Sequence, residues 1–208
     1  MIYESADAAV RRMNRQFLKL FGTLKLAKFD EISLLKTVGT VYDRSVEIAK
    51  QNYYEIATDA YIAGLMMCGI DSKEAARRCN NRIDRDWILD MLEEVDDIML
   101  YRFLDEAERK KQRLAEALSK ALNRNAEVDR ALRAWARQVA QFAINAVDRA
   151  QLQAFRDAGV IRVMWHTEND ARVCTDCAPL NGRVFDIDNI PRKPHPNCRC
   201  WLTPVFTE

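Results

Sequence analysis

Four of the six cysteines and one of the two histidines fall in one stretch, Val173 to Trp201, which reads VCTDCAPLNGRVFDIDNIPRKPHPNCRCW. Cys174 and Cys177 form a C-x-x-C pair, and His195, Cys198 and Cys200 form H-x-x-C-x-C after a gap of 17 residues. Thiolates separated by two residues can hold one ion because a tight turn brings both sulfurs to the same side; a second pair downstream completes a tetrahedron. Five candidates, Cys174, Cys177, His195, Cys198 and Cys200, therefore compete for four places around a structural zinc ion. The spacing favours Cys174, Cys177 and His195 with Cys198 or Cys200 as the fourth. Pro179, Pro191, Pro194, Pro196 and Gly182 bring turns to the stretch and keep it out of helix. The competing reading is two disulfides in a small loop-rich module, but nothing else in the chain resembles a secreted protein.

The N-terminal residues MIYESADAAVRR lack the basic-then-apolar order of a signal peptide, and no stretch has the length and apolarity of a transmembrane helix. A reducing cytosol is the expected setting, where a C-x-x-C is more often a metal or redox site than a structural disulfide. The chain has 32 basic and 31 acidic residues, a net charge of +1. From Val160 onward the count is six of each, so neither part carries the excess of positive charge that drives non-specific binding to nucleic acid.

Periodicity predicts long helices for residues 1–159. Val10, Met13, Phe17, Leu20 and Phe21 form one stripe of a helix from Ser5, its expected N-cap, to Leu26, with Arg11, Arg12, Arg15 and Lys19 on a solvated opposite face. A second helix runs from Asp30 to Met67, with Val38, Val41, Tyr42, Ser45, Ala49, Ile56, Ala57, Ala60 and Gly64 on one side; Gly39 costs about 1 kcal/mol relative to Ala, which leaves room for a break there. Tyr42, Tyr53, Tyr54 and Tyr61 read as core edges with wet hydroxyls. After the Cys68–Ser72 stop and cap comes a short helix from Lys73 to Asn80. A long helix is then expected from Asp84 or Asp86 to Asn123, striped by Ile88, Met91, Leu92, Val95, Ile98, Met99 and Phe103, then by Leu114, Leu118 and Leu122. Unbroken, it would be about 57 Å long. The acidic run Glu93, Glu94, Asp96 and Asp97 reads as solvated. The last helix, Glu127 to Asp157, has Val128, Leu132, Trp135, Val139, Phe142, Ala143, Ala146, Val147, Ala150 and Ala154 on its stripe. Its small residues allow close approach to a neighbour, and Gly159 offers a left-handed stop. Cys68 and Cys79 read as ordinary buried or half-buried thiols.

At Val160 the period changes to alternation. Val160–Thr167 reads as a strand, Asn181-Gly182 as a turn, Arg183–Asp186 as a short strand, and Arg199–Val205 as a last strand paired with Val160–Trp165. Residues 160–208 thus form a small antiparallel β module, and so short a unit needs metal and helical packing together to hold its fold. The expected fold class is mainly α, with a C-terminal zinc-knuckle sheet.

This C-terminal region resembles the minor head, or head morphogenesis, proteins of tailed bacteriophages, the Mu F-like group. The resemblance rests on Trp165 and Thr167, Asp170-Ala171-Arg172-Val173-Cys174 with Cys177, Asn181-Gly182 with Val184-Phe185, and His195-Pro196-Asn197-Cys198-Arg199-Cys200; the residues before them match only in being long helices. It implies a virion component at the portal vertex or capsid interior, present in the host cytoplasm during assembly. Its partners would be the portal or the major capsid protein, with self-association an option and nucleic acid met only by proximity. No enzymatic activity, catalytic residue or organic cofactor is implied. Against this stand a zinc hydrolase using Glu168, Asp170 or His166 and a nucleic-acid module using Arg192, Lys193, Arg199 and a stacking Trp201. A redox dithiol of Cys174 and Cys177 is the fourth reading. The surplus of thiolates disfavours an open catalytic site, the charge balance disfavours nucleic acid, and the βαβ context of a redox dithiol is missing. Asp170 and Arg172 read as a local ion pair.

Overall fold

A computed structural model describes residues 4–26, 31–82, 99–168, 173–194 and 198–206. Among them are five helices: α1 (Glu4–Leu26), α2 (Glu31–Met67), α3 (Ser72–Arg82), α4 (Met99–Lys120) and α5 (Arg124–Asp157). They are followed by strands β1 (Arg162–His166), β2 (Val184–Asp186) and β3 (Trp201–Val205). No described helix is long and apolar enough to cross a membrane.

The apolar stripes meet as their spacing requires. Met13, Phe17 and Phe21 of α1, Val38, Val41, Tyr42, Ala49, Ile56, Ala57 and Ala60 of α2, and Val128, Trp135, Val139, Ala143 and Ala150 of α5 share one buried core. Tyr42 lies at its centre, edge-on to both Phe21 and Trp135, with ring centroids 5.4 Å apart in each pair. The α2–α5 contact is closest at Gly64, where a Cβ would stand 2.7 Å from the Ala154 Cβ and 3.3 Å from the Gln151 carbonyl oxygen. The small residues of α5 do permit a near neighbour.

Several expectations are corrected. Helix α1 begins at Glu4, so Ser5 lies inside its first turn rather than capping it. Helix α2 continues through Gly39 without a break, because packing of the flanking Val38 and Val41 outweighs a propensity cost of about 1 kcal/mol. The tyrosines are not wet edges, with the exception of the partly exposed Tyr54: Tyr42, Tyr53 and Tyr61 are buried. The Tyr53 hydroxyl donates to the Val139 carbonyl at 3.0 Å and that of Tyr61 to Asp157 Oδ2 at 2.6 Å. Helix α4 ends at Lys120, leaving Leu122 fully exposed rather than on its stripe, and α5 starts earlier than expected, at Arg124. There Asn123 caps it by accepting from the Ala126 N–H at 3.1 Å. The short helix α3 is capped by Asp71, whose Oδ1 accepts from the Lys73 and Glu74 N–H groups. The first half of the expected long helix, with the acidic run, lies outside the described residues.

Gly159 ends α5 at φ +76°, and the Val160 N–H returns to the Phe155 carbonyl at 3.0 Å, the left-handed stop read from the sequence. The chain then enters a three-stranded antiparallel sheet of order β2-β1-β3. As expected, β3 pairs with β1, in a register that sets Arg162 opposite Val205 and His166 opposite Trp201. Pro204 is tolerated because β3 is an edge. Val163 and Trp165 of β1 point inward. Val163 joins Phe155, Val160 and Ile187 in a second buried cluster, against which Met67, Leu152 and Ala158 of the helical region pack. The sheet therefore rests on the α2 and α5 ends rather than standing alone.

Candidate metal centre

A third cluster continues the second through Phe185, Ile190 and Leu202, and its buried members are Trp165, Cys177, Cys198 and Cys200. Two loops deliver these cysteines. In the β1–β2 connection, the Cys177 and Ala178 N–H groups turn back to the Cys174 carbonyl at 3.2 and 3.0 Å. The Cys177 N–H also faces the Cys174 Sγ at 3.3 Å. A single 3₁₀ turn follows, Ala178–Leu180, where Pro179 costs no hydrogen bond because the first N–H groups of a helical turn are unpaired anyway.

Asn181 (φ −59°, ψ 127°) and Gly182 (φ +76°) then make a type II turn, with Arg183 N–H donating to the Leu180 carbonyl at 3.0 Å. The expected Asn-Gly turn is present and joins the 3₁₀ turn to β2. Asn181 Oδ1 accepts from the Thr167 N–H at 2.9 Å, and the Gly182 N–H donates to the Trp165 carbonyl at 2.7 Å. These bonds fold the loop over the end of β1, while the β1–β3 register brings Cys200 to that same end.

The sulfurs of Cys177, Cys198 and Cys200 all lie within 4.8 Å of one another, and those of Cys177 and Cys198 are 3.6 Å apart. Sulfurs bound to one tetrahedral zinc at about 2.3 Å stand about 3.8 Å apart, so the three thiols fit a thiophilic ion with little adjustment. All six cysteines are free, and the disulfide reading has no support in this arrangement. Burial, then hydrogen bonding with Cys174, Cys198 and Cys200, pushes the Cys177 thiol far above the ordinary thiol range. Burial also raises the Cys200 thiol, and its hydrogen bond with Cys198 adds to the rise. Neutral thiols packed this tightly are poor nucleophiles and poor redox groups, but a bound cation reverses the balance by favouring thiolates.

Cys198 and Cys200, weighed as alternatives from spacing, thus both stand in the cluster. Cys174 is half-buried beside it, its sulfur facing the Cys177 N–H. His195 lies outside the described residues, as do Asp170 and Arg172. Trp165 was legible as a strand residue and as part of the resemblance, but neither reading places it in one buried cluster with the cysteines.

Of the remaining candidates, His166, Trp201 and Lys193 are engaged elsewhere. His166 Nε2 meets Thr203 Oγ1 at 2.7 Å, and its ring stacks on Trp201 with centroids 5.5 Å apart; burial lowers its pKa. That stack covers one face of Trp201. Lys193 Nζ contacts Asp148 of α5 at 2.7 Å and the Cys198 carbonyl at 3.5 Å, tying the cysteine loop to the helices. Away from the cluster, Cys68 is half-buried and Cys79 buried, as read. Burial first, then the Asp59 carboxylate, pushes the Cys79 thiol up to about 11.

A helical body ending in a thiol-lined sheet is the class of protein that this geometry defines. Residues 110–203 match the family described as Phage Mu protein F like protein. The match takes in the later part of α4, all of α5 and the cysteine module, so it reaches further toward the N-terminus than the motif residues alone. No curated protein and no solved structure matches the chain.

Proposed function

We propose that the protein is a non-enzymatic component of a tailed-phage head, acting in head morphogenesis, portal association or DNA packaging and delivery. Zinc closes its C-terminal module, and the helices carry recognition. The observation that carries this reading is the family match over α5 and the cysteine module. The thiol set supports a structural ion. Three buried soft donors converge with a fourth cysteine beside them, whereas catalytic zinc keeps an open position for water. The ion would be held by Cys177, Cys198 and Cys200, with Cys174 or His195 completing the set, and would supply cross-linking of two loops rather than reactivity. His166, the remaining histidine, is committed to Thr203 and Trp201.

The partners would be the portal protein, the major capsid protein or a second copy of this chain, and the location the virion, after assembly in the host cytoplasm. Co-expression of the tagged chain with the portal and major capsid proteins of its own phage tests this. Co-purification with either, surviving moderate salt, is expected. Failure to associate with any head component, in cells making the whole set, contradicts the reading.

A further inference from the structure

Trp165 holds the inward position of the central strand, 1% exposed, in the same buried cluster as Cys177, Cys198 and Cys200. Its indole Nε1 is buried and has no hydrogen-bond partner among the described residues. A donor buried in this way costs about 1–3 kcal/mol, so an orphan in a closed core asks for an acceptor that appears in some other state of the site. The partly buried hydrophobic side chains packed against this cluster are Val173, Cys174, Leu180, Phe185, Ile190 and Leu202, and the cluster's own acceptors are its sulfurs. A neutral thiol accepts weakly, whereas an ionised acceptor roughly doubles the strength of a hydrogen bond.

We propose that Trp165 is a positioning residue of the metal centre, its indole N–H donating to a sulfur of the Cys177, Cys198 and Cys200 cluster when those sulfurs hold a metal ion. The inference rests on the structural-metal reading above. Phenylalanine would fill most of the same apolar space without the donor. Outer donors of this kind typically change metal affinity 10–100-fold.

The test uses the full chain, zinc with a competing chromophoric chelator, and ¹⁵N-indole labelling. W165F is expected to bind zinc 10–100-fold more weakly than the wild type at unchanged stoichiometry. In the wild type, the Trp165 indole N–H resonance should move downfield on zinc addition and return on chelation, while those of Trp87, Trp135 and Trp201 move less. Equal affinities together with an unmoved Trp165 resonance would overturn the proposal while leaving the metal site standing. If W165F does not fold, the wild-type resonance decides alone. A wild-type chain that binds no zinc overturns the metal reading, and this inference with it.

Discussion

At the scale of residues, the cysteines divide by surroundings rather than by type. Cys177 shares its pocket with two other sulfurs, whereas Cys68 and Cys79 sit singly in helical packing. C177S should therefore lose tight metal binding and lower the melting temperature of the loaded protein. C68S should leave metal content and affinity unchanged, as read by metal analysis and chelator competition. Lys193 links the cysteine loop to α5 through a partly buried pair with Asp148. K193M is expected to cost about 1 kcal/mol in denaturant unfolding, a modest loss because ion pairs near a surface contribute little. That cysteines from the two motifs could gather at one place was legible from spacing alone. That Cys198 and Cys200 both stand there was not, because it depends on the register of β3 against β1, which aligns residues 35 or more positions apart.

At the scale of elements, the two glycines of α2 make opposite predictions. At Gly64 a methyl group would stand 2.7 Å from Ala154, inside a helix–helix contact that cannot easily part. Overpacking costs about 1–3 kcal/mol and outweighs a gain of about 1 kcal/mol in helix propensity, so G64A should destabilise. At Gly39 the nearest atom is the far end of Lys111, 4.0 Å away. There propensity acts unopposed, and G39A should stabilise by about 0.5–1 kcal/mol. Thermal and urea unfolding of the two variants check the pair. The buried tyrosines add a pH dependence. Burial raises the Tyr53 pKa well above its ordinary value of 10.0. Its contribution to stability is thus complete below about pH 10 and is lost as pH rises further. Ultraviolet titration should show Tyr53 ionising only as the protein unfolds. The stripes that buried these residues were legible, since Met13, Phe17 and Trp135 recur at helical spacing. The hydroxyl partners were not: Val139 lies 86 residues from Tyr53, and Asp157 lies 96 from Tyr61.

At the scale of the whole molecule, one core of helices passes into the sheet through Phe155, Val160 and Val163, and the sheet passes into the thiol cluster through Phe185, Ile190 and Leu202. The body has a large apolar core of its own, whereas the module leans on that body and on its cysteines. Metal removal is therefore expected to loosen residues of the module first. Amide exchange should quicken around Trp165 and Cys177 in the chelated protein, with little change at Trp135. The general plan, helices and then a small antiparallel sheet, was legible from the change of period at Val160. The seating of the sheet on Met67 and Leu152 was not, because such contacts follow from helix packing angles that no local pattern records. The account depends most on those sulfurs holding an ion. Metal analysis of the purified wild-type chain by native mass spectrometry should find about one zinc per molecule, lost with C177S. A fully folded chain containing no metal, and taking none up when zinc is supplied, would contradict it.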